Sequence, residues 1–297
     1  MPVLEVVDLK KRFGDFYALN GVDLRLNHGE IHGFIGPNGA GKTTTIRILL
    51  GLLKASAGTA TIFGKDAWTH AVEIHKRVGY VPGEVNLWPN LTGGEVLDFF
   101  GRLQGTKNNQ KRRELIDRFE LDPTKKCGTY SKGNRQKVAL IAAFASDADL
   151  YLLDEPTSGL DPLMEQVFRE YLRSARDQGK SVLLSSHILS EVEKLGDRIS
   201  IIREGQIIES GTMDELRHLT STVVEARTIQ PIIGLDGLPG VHDLSEQDGV
   251  TRFSVDAENL GSAIAHLAQF ELTKLESASP TLEDLFIRHY RQEEDPA

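Results

Sequence analysis

The sequence predicts an α/β fold with an antiparallel β subdomain, an inserted helical subdomain and a small α+β domain at the carboxyl end. Three observations carry that reading. Ile31-His32-Gly33-Phe34-Ile35 is a short apolar run that leads through a glycine-rich turn into Thr45-Ile46-Arg47-Ile48-Leu49-Leu50, whose apolar residues follow helical spacing. Leu150-Tyr151-Leu152-Leu153 and Ser181-Val182-Leu183-Leu184 are unbroken apolar runs, as expected of parallel strands buried on both faces. From residue 91 to about residue 145 the pattern turns helical, with Glu95-Val96-Leu97-Asp98-Phe99-Phe100 and Leu115-Ile116-Asp117-Arg118-Phe119 as the clearest amphipathic pieces.

The glycine-rich turn is Gly36-Pro37-Asn38-Gly39-Ala40-Gly41-Lys42-Thr43-Thr44, a glycine, four free positions and then Gly-Lys-Thr. A strand before it and a helix after it give the phosphate-loop pattern its required context. Glycines without side chains let backbone amides and the positive end of the helix wrap a polyphosphate. Lys42 would reach the β- and γ-phosphates, and the Thr43 hydroxyl is placed to ligate the Mg²⁺ that bridges them. The fold class is therefore that of a phosphate-loop NTPase.

In chain order, residues 3–9 and 22–26 alternate apolar and polar side chains as half-buried antiparallel strands do. Between them lies Lys11-Arg12-Phe13-Gly14-Asp15-Phe16-Tyr17, whose rings read either as core or as a stacking surface for a base. Residues 58–64 form a further edge strand closed by glycines, residues 71–77 a helix, and Gly79-Tyr80-Val81-Pro82 the end of a strand. The polar run at residues 107–113 has no interleaved aromatics, so it reads as a solvated loop and helix start.

Two strand ends carry chemistry. Leu150-Tyr151-Leu152-Leu153 runs into Asp154-Glu155-Pro156, and the strand at residues 181–186 ends in His187. Ligands of open parallel sheets bind outside the carboxyl ends of strands, so the phosphate loop, both acids and the histidine can converge. Asp154 would hold Mg²⁺ directly or through water, Glu155 would orient and deprotonate the attacking water, and His187 would contact the γ-phosphate.

Composition narrows the partners. The chain has 297 residues, enough for about two domains. A net charge of −9 argues against nucleic acid as the main partner. The single cysteine, Cys127, can form no internal disulfide, which fits a reducing compartment such as the cytoplasm. The amino terminus lacks a basic start followed by an apolar core, so no secretory signal is expected, and no apolar stretch approaches the ~20 residues of a membrane span.

These residues together resemble the ATP-binding subunit of ABC transporters, over roughly residues 3–220. The decisive piece is Tyr130-Ser131-Lys132-Gly133-Asn134-Arg135-Gln136, similar to the family's signature motif. The resemblance implies that Ser131 and Gly133 of one copy serve the γ-phosphate bound by another, so that two chains sandwich two ATP molecules head to tail. It also implies that Ser158-Gly159-Leu160-Asp161 crosses the dimer interface, that His187 is the switch histidine, and that Phe13 stacks on adenine. Gly83, followed by Glu84, stands where the family places a glutamine after the Tyr-Val-Pro stretch, so Glu84 is the candidate substitute. Lys132 stands where glycine is usual and Asn134 where glutamine is usual.

The Tyr-Ser-Lys-Gly variant and the tail resemble the daunorubicin-resistance type of export ATPase, which works with ABC-2 type permeases. The implied protein is an ATPase at the cytoplasmic face of the membrane, paired with itself or a paralogous ATPase beneath a separate permease. A non-transport ABC-type ATPase, ribosome-associated or regulatory, is the alternative. The expected domains are residues 1–220, with a helical subdomain at about 86–145, and residues 221–297. The tail should contain strands at 222–227, 241–244, 250–255 and 272–277 and a helix at 260–269. A last helix should be capped by Ser279 with Pro280 in its first turn, burying Leu282, Leu285, Phe286 and Tyr290.

Overall fold

A computed structural model of the chain describes residues 2–105, 109–218, 222–247 and 249–278, and it divides into two compact units, Met1–Ser210 and Gly211–Ala297. The first unit opens with β1 (Leu4–Phe13) and β2 (Phe16–Leu26), an antiparallel hairpin whose two-residue connection Gly14-Asp15 begins with Gly14 at φ 58°. The sequence reading ended the first strand at Leu9 and began the second at Val22. The structure carries both through Lys11–Tyr17, because bulges keep the ladder paired where the apolar alternation is lost.

Next come β3 (Ile31–Ile35), α1 (Lys42–Leu49), β4 (Ala57–Ile62), β5 (Lys65–Asp66), α2 (Ala71–His75) and β6 (Val78–Val81). The helical stretch follows, with α3 (Gly93–Leu103), α4 (Asn109–Arg118) and α5 (Lys132–Ala145). Thr92 and Glu95 cap α3 reciprocally, each side chain bonding the other's backbone N–H. The unit closes with β7 (Leu150–Asp154), α6 (Pro162–Asp177), β8 (Ser181–Ser186), α7 (Leu189–Glu193) and β9 (Arg198–Arg203), and β10 (Gln206–Thr212) runs on across the boundary. Glu204 and Gly205, at φ 49° and 76°, make the tight turn between β9 and β10.

Two sheets result. One has the order β2-β1-β4-β5, and the other β10-β9-β3-β8-β7-β6, with β9, β3, β8, β7 and β6 mutually parallel. Every residue of β3, β7 and β8 is buried, which explains why these strands read as continuous apolar runs. Leu4, Leu9 and Leu19 of the antiparallel sheet pack in one core with Phe34, Ile46 and Leu49, so the phosphate-loop strand and helix are clamped between the layers. In the helical region Phe144 of α5 stacks on Tyr171 of α6, ring centroids 4.0 Å apart.

The second unit begins with α8 (Met213–His218) and holds β11 (Thr222–Thr228), β12 (Val241–Gln247), β13 (Val250–Val255), α9 (Leu260–Leu267) and β14 (Leu272–Ala278). Its antiparallel sheet has the order β12-β13-β11-β14, and Val224, Ala226, Leu235, Phe253, Val255, Ala263 and Leu267 form its core. The terminal helix expected after Ser279 lies outside the described residues. Among the described residues no helix is long and apolar enough to cross a membrane.

Candidate active site

The loop between β3 and α1 is held by its own backbone. Gly36 N–H donates to the Ser186 carbonyl (3.3 Å), Ala40 N–H to Pro37 O (3.2 Å), and Ala40 O accepts from Gly205 N–H (3.0 Å). Gly41 caps α1 at φ 114° without a side-chain cap, and no acid occupies the first turn. The amino end of α1 thus presents N–H groups and positive dipole with no acid of its own first turn to offset them.

The glycines have different reasons. A Cβ on Gly36 would lie 2.2 Å from the Ile202 carbonyl oxygen, and one on Gly41 2.6 Å from Leu19 Cδ2 and 2.9 Å from Ala18 O. Packing against the chain itself therefore demands these two, where the sequence argument assigned them to phosphate access. Gly39 faces open space at φ 84°, at the exposed apex beside Asn38, and fits the earlier argument better.

Lys42 is buried, and its ammonium donates to Gly36 O (2.6 Å) and Pro37 O (3.1 Å). Burial pulls its pKa down, while the neighbouring Glu155 and Asp154 carboxylates push it back up. Glu155 Oε1 lies 3.6 Å from Lys42 Nζ and 3.2 Å from His187 Nδ1. The carboxylate of Glu155 thus bridges the phosphate loop and the histidine after β8.

Asp154, fully buried at the end of β7, accepts from Thr43 Oγ1 (2.8 Å) and from Ser185 Oγ (2.5 Å). A hydroxyl and a carboxylate side by side at the helix start are hard oxygen donors, and they fit a small divalent cation such as Mg²⁺. Glu155 itself sits at φ 46°, a strained region for a residue with a side chain. Its N–H donates to Ser185 O (3.1 Å), which helps hold that turn. The backbone beside Asp154 on the neighbouring strand end is Gly83, where a Cβ would lie 3.5 Å from the carboxylate, while Glu84 is exposed.

The signature segment is built onto the loop that follows the acids. Ser131 caps α5, its hydroxyl accepting from Asn134 N–H (3.2 Å), and α5 has no acid in its first turn. Buried Gln136 donates to Pro156 O (2.9 Å), Lys132 Nζ to Ser158 Oγ (2.6 Å), and Ser158 N–H to Glu155 O (3.2 Å). Gly133 abuts Gly159, whose carbonyl oxygen would lie 2.4 Å from an added Cβ. Asp161 caps α6, accepting from the N–H groups of Leu163 and Met164, with Pro162 in the first turn.

Sequence reasoning missed several residues. Glu191 Oε2 accepts from Thr157 Oγ1 (2.9 Å) and Ser186 Oγ (3.2 Å), which ties the loop after Glu155 to the residue before His187. Only the serine pair directly before His187 hinted at this. Phe13 is half exposed at the tip of the β1–β2 hairpin, across the ladder from Phe16, and Tyr17 beside it is also half exposed. The Lys11 ammonium lies 4.8 Å from the Phe13 ring centroid.

Fold and site together define a phosphate-loop NTPase with a buried metal-type aspartate and a glutamate poised between lysine and histidine. The family model described as ABC transporter matches residues 19–158. The daunorubicin resistance ATP-binding protein DrrA3 of Streptomyces coeruleorubidus is 34% identical over 292 residues, covering 94% of this chain and 92% of that protein. The bacitracin transport ATP-binding protein BcrA of Bacillus licheniformis is 31% identical over 295 residues, covering 96% of each. Among solved structures, an ATP-binding subunit of an ABC transporter superposes with a TM-score of 0.69 at 32% identity, covering 73% of this chain and 92% of that one. The dimeric MJ0796 cassette gives 0.65 at 25% identity, covering 71% and 98%. The chain belongs to the ATP-binding subunits of ABC transporters: it binds ATP and is an ATPase.

Proposed function

We propose that this chain is the ATP-hydrolysing subunit of an ABC-2 type exporter, dimerising around ATP·Mg²⁺ to drive a drug-like or lipid-like substrate through a separate permease. The carrying observation is the contact of Glu155 with both Lys42 and His187, beside the Thr43–Asp154 pair. The Lys42 ammonium would exchange the carbonyls of Gly36 and Pro37 for the β- and γ-phosphates, which are stronger acceptors. Thr43 and Asp154 would hold Mg²⁺, which when bound would neutralise phosphate charge. Glu155 would take a proton from water as its oxygen bonds to the γ-phosphorus and the bond to the β-phosphate oxygen breaks. His187, held by Glu155, would donate to a γ-phosphate oxygen.

Ser131 and Gly133 of one copy would close over the triphosphate cradled by a second copy or a paralogous ATPase. Support comes from the uncompensated amino end of α5 and from MJ0796, a cassette solved as a dimer. In that dimer Asp161 would keep its cap while the Ser158–Asp161 loop runs along the interface. Phe13 would stack on adenine, and Glu84 would stand in for the missing glutamine next to Gly83. Trp88, Phe99 and Leu103 are large exposed apolar residues of the helical subdomain, with the Trp88 and Phe99 rings 5.3 Å apart, and would press on the permease at the cytoplasmic face of the membrane. The relatives named for daunorubicin resistance and bacitracin transport support export as the direction. Co-purification with a membrane protein in detergent, with ATPase activity raised by that protein and lost in Glu155→Gln, tests the reading; a soluble partner alone would refute it.

A further inference from the structure

The second unit has two sheet edges, β12 and β14, and they differ. The β12 ladder breaks register between His242 and Ser245, with Asp243 at φ 51°, the kind of bulge that blunts an edge. The β14 ladder is regular from Lys274 to Ala278, and among the described residues no strand pairs with its outer side. An open, regular edge is a template for another strand.

The charges on β14 show what it fits. Register sets Lys274 opposite Arg227 and Glu276 opposite Glu225, so both charged rows bring like charges together across the β11–β14 ladder. Like charges directly opposite destabilise a sheet, and among the described residues two contacts relieve them: Lys274 to Glu276 within β14 (2.8 Å) and Glu225 to Arg252 directly opposite on β13 (3.6 Å). On the other face Leu275 pairs with the core residue Ala226, yet it stays 37% exposed, and among the described residues no strand covers it from beyond the edge.

We propose that β14 pairs antiparallel with β14 of a second copy, centred on Leu275, joining two C-terminal units in one sheet. The sequence around Leu275 is charge-complementary to its own reverse. In that register Lys274 faces Glu276 of the second copy and Glu276 faces its Lys274. Each like-charged row is then completed by opposite charge, and the two Leu275 side chains cover each other on the core face. A solitary edge lysine would repel a second strand; Lys274 with Glu276 two residues on selects this one register. The contact needs no nucleotide and stands apart from the ATP-dependent dimer proposed above.

The test uses the full chain, free of nucleotide, carrying Leu275→Cys with a short thiol cross-linker; native Cys127 is buried. The pairing predicts a cross-linked dimer that falls at least tenfold in Lys274→Glu and in Glu276→Lys, each made in the Leu275→Cys background. Mixing these two variants should restore it, because the mixed pair again sets opposite charges across the seam; recovery also proves that both variants fold. Absence of the cross-link, insensitivity to either reversal, or no recovery on mixing would overturn the proposal. Loss of ATP-driven dimerisation with the cross-link intact would refute only the nucleotide sandwich.

Discussion

Gly133, near the start of α5, is pressed against the carbonyl of Gly159, so that a single methyl group at Gly133 would sit 2.4 Å from that oxygen. The start of α5 and the loop that follows Asp154 and Glu155 are therefore one packed unit. Movement of one obliges movement of the other, since the obstacle is backbone and cannot rotate away.

Gly133→Ala should displace the Gly159 loop while leaving the phosphate loop intact. ATP affinity should change less than about threefold and kcat should drop at least about tenfold, equivalent to about 1.4 kcal/mol of barrier. Equilibrium binding of a fluorescent ATP analogue, set beside phosphate release, measures both.

Gly36→Ala and Gly39→Ala should diverge. The first drives a methyl to 2.2 Å from the Ile202 carbonyl oxygen and should destabilise the fold by about 3 kcal/mol or more, at or above the top of the usual overpacking range because the obstacle is backbone. The second meets no atom but keeps a left-handed φ of 84° and should cost about 1–2 kcal/mol. Denaturant unfolding of both variants makes the comparison.

Glu191→Ala should leave the hydroxyls of Thr157 and Ser186 without their shared acceptor and loosen the turn that carries His187. Because Glu191 acts through its neighbours, kcat should drop about tenfold while KM for ATP stays within about twofold. Glu191→Gln, which keeps an acceptor oxygen, should recover most of the rate.

His32 is buried on β3 with Nε2 at 2.8 Å from Ser200 Oγ, and burial, aided by the Arg198 charge, lowers its pKa to about 4 from 6.5. Between those values the unfolded chain binds a proton that the folded chain refuses. Stability should therefore fall as pH drops from about 6.5 to about 4, by up to about 3 kcal/mol, and this component should be flat outside that window. Guanidinium unfolding across that range should show a shallower slope for His32→Asn than for the parent chain.

Much of the site was legible because its chemistry is written locally. The phosphate loop, Asp154 with Glu155, and His187 each sit at the end of a short apolar run, and burial of β3, β7 and β8 on both faces makes such runs easy to read. What stayed hidden depends on contacts far apart in sequence. The obstacles to a side chain at Gly36 and Gly41 are Ile202 O and Ala18 O, so the sequence offered phosphate access as their only visible reason. Glu191 reaches Thr157 across two elements, which no local pattern signals. The cap formed by Asp161 was legible, since an aspartate directly before a proline commonly starts a helix, but the interface role suggested by resemblance obscured it.

The central claim is that each triphosphate is completed by two copies. Its most direct test is a structure of Glu155→Gln, which should slow hydrolysis by about 10²–10⁴-fold, solved with ATP and Mg²⁺. The account predicts Ser131 Oγ and Gly133 N–H of one copy at about 3 Å from the γ-phosphate held by Lys42 of the other. Ser131 and Gly133 facing solvent in every copy, with ATP bound, would contradict it.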